Sequence, residues 1–152
     1  MFAYPVDKYG SILTSAEIWG GAASNLVAQN WDSGRYIVTM KTDGSKIPFR
    51  WASLDTSQQS KLGDNTKGPM VLNFIRGDHS NDNPAGQKYR ARTSVLGDII
   101  HSRPLFVDDA NYPRVYVGGN DGMLHVLDAC MSGCSTAGNE VYAYIPSMLI
   151  PN

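Results

Sequence analysis

Residues 94–128, SVLGDIIHSRPLFVDDANYPRVYVGGNDGMLHVLD, decide how the chain is read. Two apolar runs, Val115–Gly118 and Met123–Asp128, flank Asn120-Asp121-Gly122. Asp-Gly between such runs is a strong local hairpin signal. A type I′ turn needs positive φ at both central positions, which Asp tolerates and Gly accepts freely. Upstream, Leu105-Phe106-Val107 reads as a further strand, followed by the acidic turn Asp108-Asp109. Ser94–Pro104 reads as an irregular passage leading into it. Downstream, Glu140–Ile145 (EVYAYI) alternates with the period of a half-buried strand.

These four strands are sequential and joined by short connections. They predict an antiparallel four-stranded meander, the unit from which β-propeller blades are made. The fold class is therefore mainly β, part of a β-propeller with short helical insertions. The chain divides into an irregular lead-in, 1–93, and one recognisable blade, 94–152.

The lead-in carries strands and two short helices. Arg35–Lys41 (RYIVTMK) is dense in β-branched and aromatic residues, and Ile47–Trp51 returns beyond an Asp43-Gly44 turn. Pro48 places the returning strand at an edge. Phe2–Val6 reads as another edge strand, and Ser11–Trp19 as a strand or a loop. Asp55 followed three residues later by Gln58 has the form of a capping box, predicting a helix to Leu62 that Gly63 ends. Residues 63–69 read as a loop. Val71, Leu72 and Ile75 then share one face of a short helix, Met70–Ile75, ended by Gly77. Ala22–Gln29 admits a further helix, weakened by Asn25 and the nearby glycines. Residues 78–86 (DHSNDNPAG) read as a polar loop.

Composition narrows the function. Thirteen Lys plus Arg stand against fourteen Asp plus Glu, a net charge of −1. That gives no electrostatic footprint for nucleic acid or an anionic membrane. The chain has no apolar run long enough for a spanning helix, and MFAYPVDKYG is not a signal peptide. Cys130 and Cys134, in Cys-x-x-x-Cys spacing, lack the further ligands a zinc site needs. They suit either a local disulfide stapling a hairpin loop, which implies an oxidising compartment, or two free thiols in a loop.

The passage VYVGGNDGMLHVLDA with GNEVYAYIP resembles a blade of the quinoprotein-like propellers. Gly118, Asp121, Gly122, Leu124, Asp128, Ala129 and Gly138 fall on that pattern, while Tyr144-Ile145-Pro146 replaces its terminal Trp. Ile75-Arg76-Gly77-Asp78 with Ser80-Asn81, Arg90 and Arg92 with Ser94–Ile99, Ser102 and Pro104, Asn120–His125, and Ala143–Ser147 follow in order. Together they resemble the C-terminal propeller of the PilC/PilY family of type IV pilus assembly and tip-adhesion proteins. Tyr4-Pro5, Ser33-Gly34-Arg35, Ile47-Pro48-Phe49 with Trp51, and Ser57-Gln58-Gln59 extend the resemblance over essentially the whole chain.

The resemblance implies a non-enzymatic protein that works by binding. Its expected partners are pilin or minor pilin subunits, a host or abiotic surface, and the rest of its own propeller. Its expected location is the cell envelope or pilus tip of a Gram-negative bacterium. A ring needs at least four blades of about 40–45 residues, so the chain is expected to be a piece of a larger propeller. Two rivals share the blade repeat, a quinoprotein-type dehydrogenase and an outer-membrane assembly scaffold. The Arg-Gly-Asp-x-Ser-Asn and SVLGDI passages favour the pilus family over both.

Candidate sites are few. Arg76, Gly77 and Asp78 form the tripeptide that integrins read, but Gly77 also suits a helix end. Asp78, Ser80 and Asp82 place oxygens at alternate positions, as the first half of a calcium loop does. The sixth and twelfth positions hold Asn83 and Tyr89, not the required Gly and Glu. The family is associated with calcium, and no cofactor is expected in this chain itself. His79, His101 and His125 show no metal spacing and are expected to be surface or hydrogen-bonded residues. Gly118, Asp121, Gly122 and Asp128 are expected to serve structurally in and around the hairpin turn. No catalytic constellation is apparent.

Overall fold

A computed structural model describes residues 1–83 and 89–150. The expected meander forms: β5 (Leu105–Val107), β6 (Arg114–Gly118), β7 (Leu124–Asp128) and β8 (Glu140–Tyr144) pair antiparallel in sequence order. The lead-in adds β1 (Ile37–Met40) and β2 (Lys46–Pro48), an antiparallel hairpin turned at Asp43-Gly44. β1 lies parallel to β8, with Ile37 opposite Ala143 and Val38 opposite Tyr144. The result is one open, mixed, six-stranded sheet in the order β2-β1-β8-β7-β6-β5. The lead-in and the blade thus share a sheet.

The hairpin turn differs from the type I′ expectation. Gly122 alone among the turn residues has positive φ, at 83°, and no non-glycine residue in the described chain does. The loop is five residues long, closed by the Gly119 amide on the Met123 carbonyl at 2.9 Å. Asp121 is therefore not held in the left-handed region. Its carboxylate is used instead, as set out below.

One sheet face is covered. Ile37 and Ala143 pack with Phe49, Leu54, Leu62, Leu72, Ile145 and Ile150. α2 (Thr56–Leu62) and α3 (Lys67–Arg76) supply the apolar stripes that close this core. A second cluster, Trp19, Ala22, Val115, Leu127 and Ala129, lies under the N-terminal segment and α1 (Ala22–Ala28). The other face carries the register-matched row Leu105, Tyr116, Val126 and Tyr142, and no core cluster closes over it among the described residues.

The capping box at the start of α2 is complete. Asp55 accepts the Gln58 amide at 2.9 Å and the Gln58 side chain accepts the Asp55 amide at 3.2 Å. α3 begins three residues earlier than its apolar spacing suggests. Pro69 is tolerated there because first-turn amides have no intrahelical acceptor, and the Asp64 carboxylate takes the Thr66 and Lys67 amides at 2.9 and 2.7 Å. Phe2–Val6 is not a ladder strand. It makes only the isolated bridges Ala3–Trp19 and Val6–Ile12, as Pro5 lacks the amide a ladder needs. The polar loop read over 78–86 holds one short strand, β3 (Asp82–Asn83), which pairs parallel with β4 (Tyr89–Arg90) as a separate two-stranded sheet, and residues 84–86 of it lie outside the described residues. No helix among them is long and apolar enough to cross a membrane.

Gly97 docks the SVLGDI passage onto the hairpin turn. A Cβ at Gly97 would lie 2.4 Å from the Asp121 backbone nitrogen, so only glycine permits this approach. Gly97→Ala should lower stability by about 1–3 kcal/mol through overpacking. Urea unfolding measures this, and an unchanged midpoint would disprove the close approach.

Candidate functional site

The most concentrated chemistry is a buried chain of alternating charges. Arg35, just before β1, pairs with Glu140 at the head of β8. Its Nε donates to Oε1 at 2.9 Å and its Nη2 to Oε2 at 3.0 Å. Glu140 Oε2 lies 2.6 Å from His125 Nδ1 on β7, and His125 Nε2 lies 2.9 Å from Asp121 Oδ2. Asp121 also accepts the Gly97 amide at 2.9 Å and the Met123 amide at 3.1 Å. The His125 and Glu140 side chains are 0% and 1% exposed. Strand alternation puts His125 there, paired with Val117 and Ala143 on the covered face, opposite to Leu124 and Val126, and the register shift between Val126 and Leu127, which sets Leu127 opposite Glu140, brings Glu140 to the same side.

This geometry sets the protonation states. Burial pushes the His125 imidazole down, but hydrogen bonds to Asp121 and Glu140 and their charges outweigh it and raise its pKa to about 9. Burial opposes ionisation of Glu140 and Asp121 too. His125 and Arg35 nonetheless hold Glu140 below the usual carboxylate range, and His125 with the Gly97 and Met123 amides does so for Asp121. At neutral pH the chain is thus anion, cation, anion, cation. A protonated imidazole between two carboxylates cannot act as a general base; this arrangement can fix segments to one another.

A second network surrounds the end of α3. Arg76 is 1% exposed, and its guanidinium donates to the carbonyls of Phe49 at 3.1 Å, Trp31 and Asp32 at 3.0 Å, and Arg35 at 3.4 Å. Arg35 Nη1 donates to the Arg76 carbonyl at 2.6 Å. Arg92 donates to the carbonyls of Phe74 at 2.7 Å and Asp78 at 2.8 Å, pairs with Asp82, and lies 3.6 Å above the Phe74 ring. Guanidinium groups at a helix C-terminus satisfy carbonyls that have no amide and complement the dipole. Burial lowers the Arg76 pKa to about 10, with Arg50 and Arg35 adding to the effect.

The candidate residues fall as follows. Arg76 of the Arg-Gly-Asp tripeptide is spent inside the protein, so this fold does not present its side chain to a receptor. Gly77 ends α3 at φ 116°. Asp78 accepts the Ser80 amide and hydroxyl at 2.9 and 2.8 Å, and Asp82 is taken by Arg92 and His79. Asp78 and Ser80 thus bond to each other, while Asp82 is engaged by Arg92 and His79. Among the described residues no three His, Cys, Asp or Glu side chains form a metal-binding group. Asp128 pairs with Arg114 at 3.0 Å and accepts the Cys130 amide and the Thr136 hydroxyl, anchoring both ends of the loop that the Cys130–Cys134 disulfide closes. Gly118 pairs with Leu124 at the top of the hairpin.

Arg35, Glu140 and Arg92 carry these networks, although sequence reading did not single them out as site residues. The only local signal is a lone charge at the mouth of an apolar strand, in RYIVTM and EVYAYI.

The chain is similar to the type IV pilus biogenesis factor PilY1 of Pseudomonas aeruginosa strain PAK, 32% identical over 178 aligned residues. That alignment covers 95% of this chain and 14% of the relative. The PilY1 of strain UCBPP-PA14 is 30% identical, over 97% of this chain and 15% of that protein. A PilY1 homolog of Xylella fastidiosa is 32% identical over 53% of this chain and 8% of its own length. The chain therefore spans about one-seventh of the length of the curated relatives it matches. No family model matches it, and no solved structure does.

The charge chain predicts a pH signature. The raised His125 pKa contributes stability that is fully present below about pH 6.5, its unfolded value, and is lost as pH rises through about 9. The depressed carboxylates contribute stability present above their ordinary range and lost as pH falls through their folded values. Tm should therefore decline from pH 6.5 to 9, and His125→Gln should remove that slope. Glu140→Gln, leaving Arg35 buried without its counter-ion and His125 with Asp121 alone, should cost about 3–5 kcal/mol. A His125→Gln protein that retains the alkaline slope would show that the histidine is not its source.

Proposed function

Since the chain belongs to the family of PilY1 type IV pilus biogenesis factors, as one segment of such a protein, we propose that it acts by binding and not by catalysis. Its meander β5–β8 is one blade of a propeller, with β1 and β2 as a family-specific addition. Its partners are pilus components, pilins or minor pilins, and the remainder of its own protein. Its setting is the envelope or pilus of a Gram-negative cell.

The observation that carries this reading is the collinear similarity along 95% of the chain. Two structural features support it. The charged groups in the interior are committed to one another or to backbone carbonyls, so they serve as framework. The Cys130–Cys134 disulfide suits an oxidising compartment such as the periplasm. One apolar surface available for contact is the β5 edge, where Leu105, Phe106 and Val107 are all exposed.

The test is made in the bacterium. In a strain relying on a full-length relative, replacing the segment equivalent to residues 1–152 with a flexible linker should abolish surface pili and twitching while the rest of the factor accumulates. Purified chain should bind pilus subunits and show no quinone absorbance. Normal piliation in the replacement strain would overturn the assignment to assembly, and bound quinone would overturn the non-enzymatic reading.

A further inference from the structure

We propose that the pocket between the end of α1 and the turn after α3 binds one neutral sugar ring. This inference does not rest on the pilus reading.

The pocket lies off the faces and edges of the β5–β8 meander and measures about 250 Å³. That is below the roughly 300–1,000 Å³ of drug-sized sites, so it suits a single ring and not an extended ligand. Its floor is buried, formed by Leu26, Arg35, Gly77 and Val95. Its mouth is exposed, at Val27, Asn30 and His79.

One polar atom here has an unmet requirement. Gln29 lines the pocket, and its Nε2 donates to the Glu140 carbonyl at 3.0 Å, which fixes the orientation of the amide. Its Oε1 is buried and has no partner among the described residues. A buried acceptor without a donor is costly, so a ligand that brings an O–H there gains affinity. Asn30 offers the opposite. Its Oδ1 accepts the Asp32 and Ser33 amides at 2.9 and 2.8 Å, and its Nδ2 donors have no partner among the described residues. Between these two groups stand the apolar side chains of Leu26, Val27 and Val95 and the Trp31 indole.

Charge selects the ligand class. A cation would meet the Arg35 guanidinium in the floor, with Arg76 bonded to the Trp31 carbonyl at 3.0 Å. An anion would meet Gln29 Oε1 and the carbonyl end of α1, which carries partial negative charge. A neutral ligand avoids both repulsions. A hydroxyl donates and accepts, so neighbouring hydroxyls can serve Gln29 and Asn30 together. A pyranose carries a rim of hydroxyls and an apolar C–H face, which suits the aliphatic and indole walls.

NMR titration of the nitrogen-labelled 152-residue chain tests this. The probes are the methyl glycosides of glucose, galactose, mannose and N-acetylglucosamine. At least one should shift the Gln29 side-chain amide and the Trp31 indole N–H saturably at millimolar concentration. Glycerol, acetamide, methylammonium and acetate should not do so at the same concentration. Gln29→Met removes the amide oxygen and should weaken that binding at least tenfold. Val27→Trp fills the exposed mouth while leaving Gln29 in place. It should block binding with an unchanged circular dichroism spectrum. The proposal is overturned if no glycoside moves those resonances up to molar concentration, or if any control moves them as strongly. Undiminished binding by either variant in its folded form places the sugar elsewhere and overturns it as well.

Discussion

The fold depends on one buried constraint: Glu140 held between two cations, Arg35 and His125, where water does not reach. A carboxylate moved into a protein interior loses several kcal/mol of solvation. Here that loss is offset by bidentate pairing with Arg35 and a 2.6 Å contact to the His125 imidazolium. The imidazolium in turn remains charged because Asp121 on its far side and Glu140 together outweigh its burial. Each member is tolerable only while its neighbours are in place. The chain of contacts crosses the sheet from the approach to β1, through β8 and β7, to the β6–β7 turn, and reaches the SVLGDI passage through the Gly97 amide. Apolar packing would hold these segments near one another; the ion chain fixes their relative placement, because a displacement of any one strands a charge.

The arginines at the end of α3 extend that logic to the helical layer. Arg35 belongs to both networks: one face of its guanidinium serves Glu140 and another atom caps the Arg76 carbonyl. Arg76 then gathers four carbonyls from two other segments of the lead-in. The Arg-Gly-Asp sequence, which looks like a recognition motif, is on these contacts a joint. Its arginine bonds inward, its glycine ends the helix and its aspartate organises the next turn.

What was legible in the sequence was what short range determines. Of the meander strands, β8 follows from period-two alternation and the others from apolar runs and the Asp-Gly turn, the α2 start from the Asp55–Gln58 reciprocity, and the lead-in hairpin from Asp43-Gly44. What was not legible depended on partners far along the chain. Nothing in RYIVTM says that it will lie parallel to EVYAYI, because parallel pairing is set by the crossover and not by either strand. The Asp-Gly signal marked the β6–β7 turn but implied a positive φ at Asp121 that the turn does not use. The turn takes its shape from five residues and a single positive φ, which leaves the carboxylate free to serve His125. Likewise Arg76 reads as exposed in isolation, since arginine is rarely buried, and only the convergence of carbonyls from residues 31, 32, 35 and 49 makes burial tolerable. The pilus family resemblance captured these residues as motif letters without their physical reasons.

The separation of Arg35 from Glu140, 105 positions along the chain, has a kinetic consequence. The β6–β7 hairpin can form early from neighbours, but with Asp121, His125 and Glu140 assembled it still lacks the second cation. Arg35 meanwhile waits in an N-terminal half that has no β8 to pair with. Closing the parallel β1–β8 contact is therefore the slow, entropically costly event, and the charges are compensated only when it is complete. A chain interrupted before residue 140 would hold an unsatisfied arginine where its core should be.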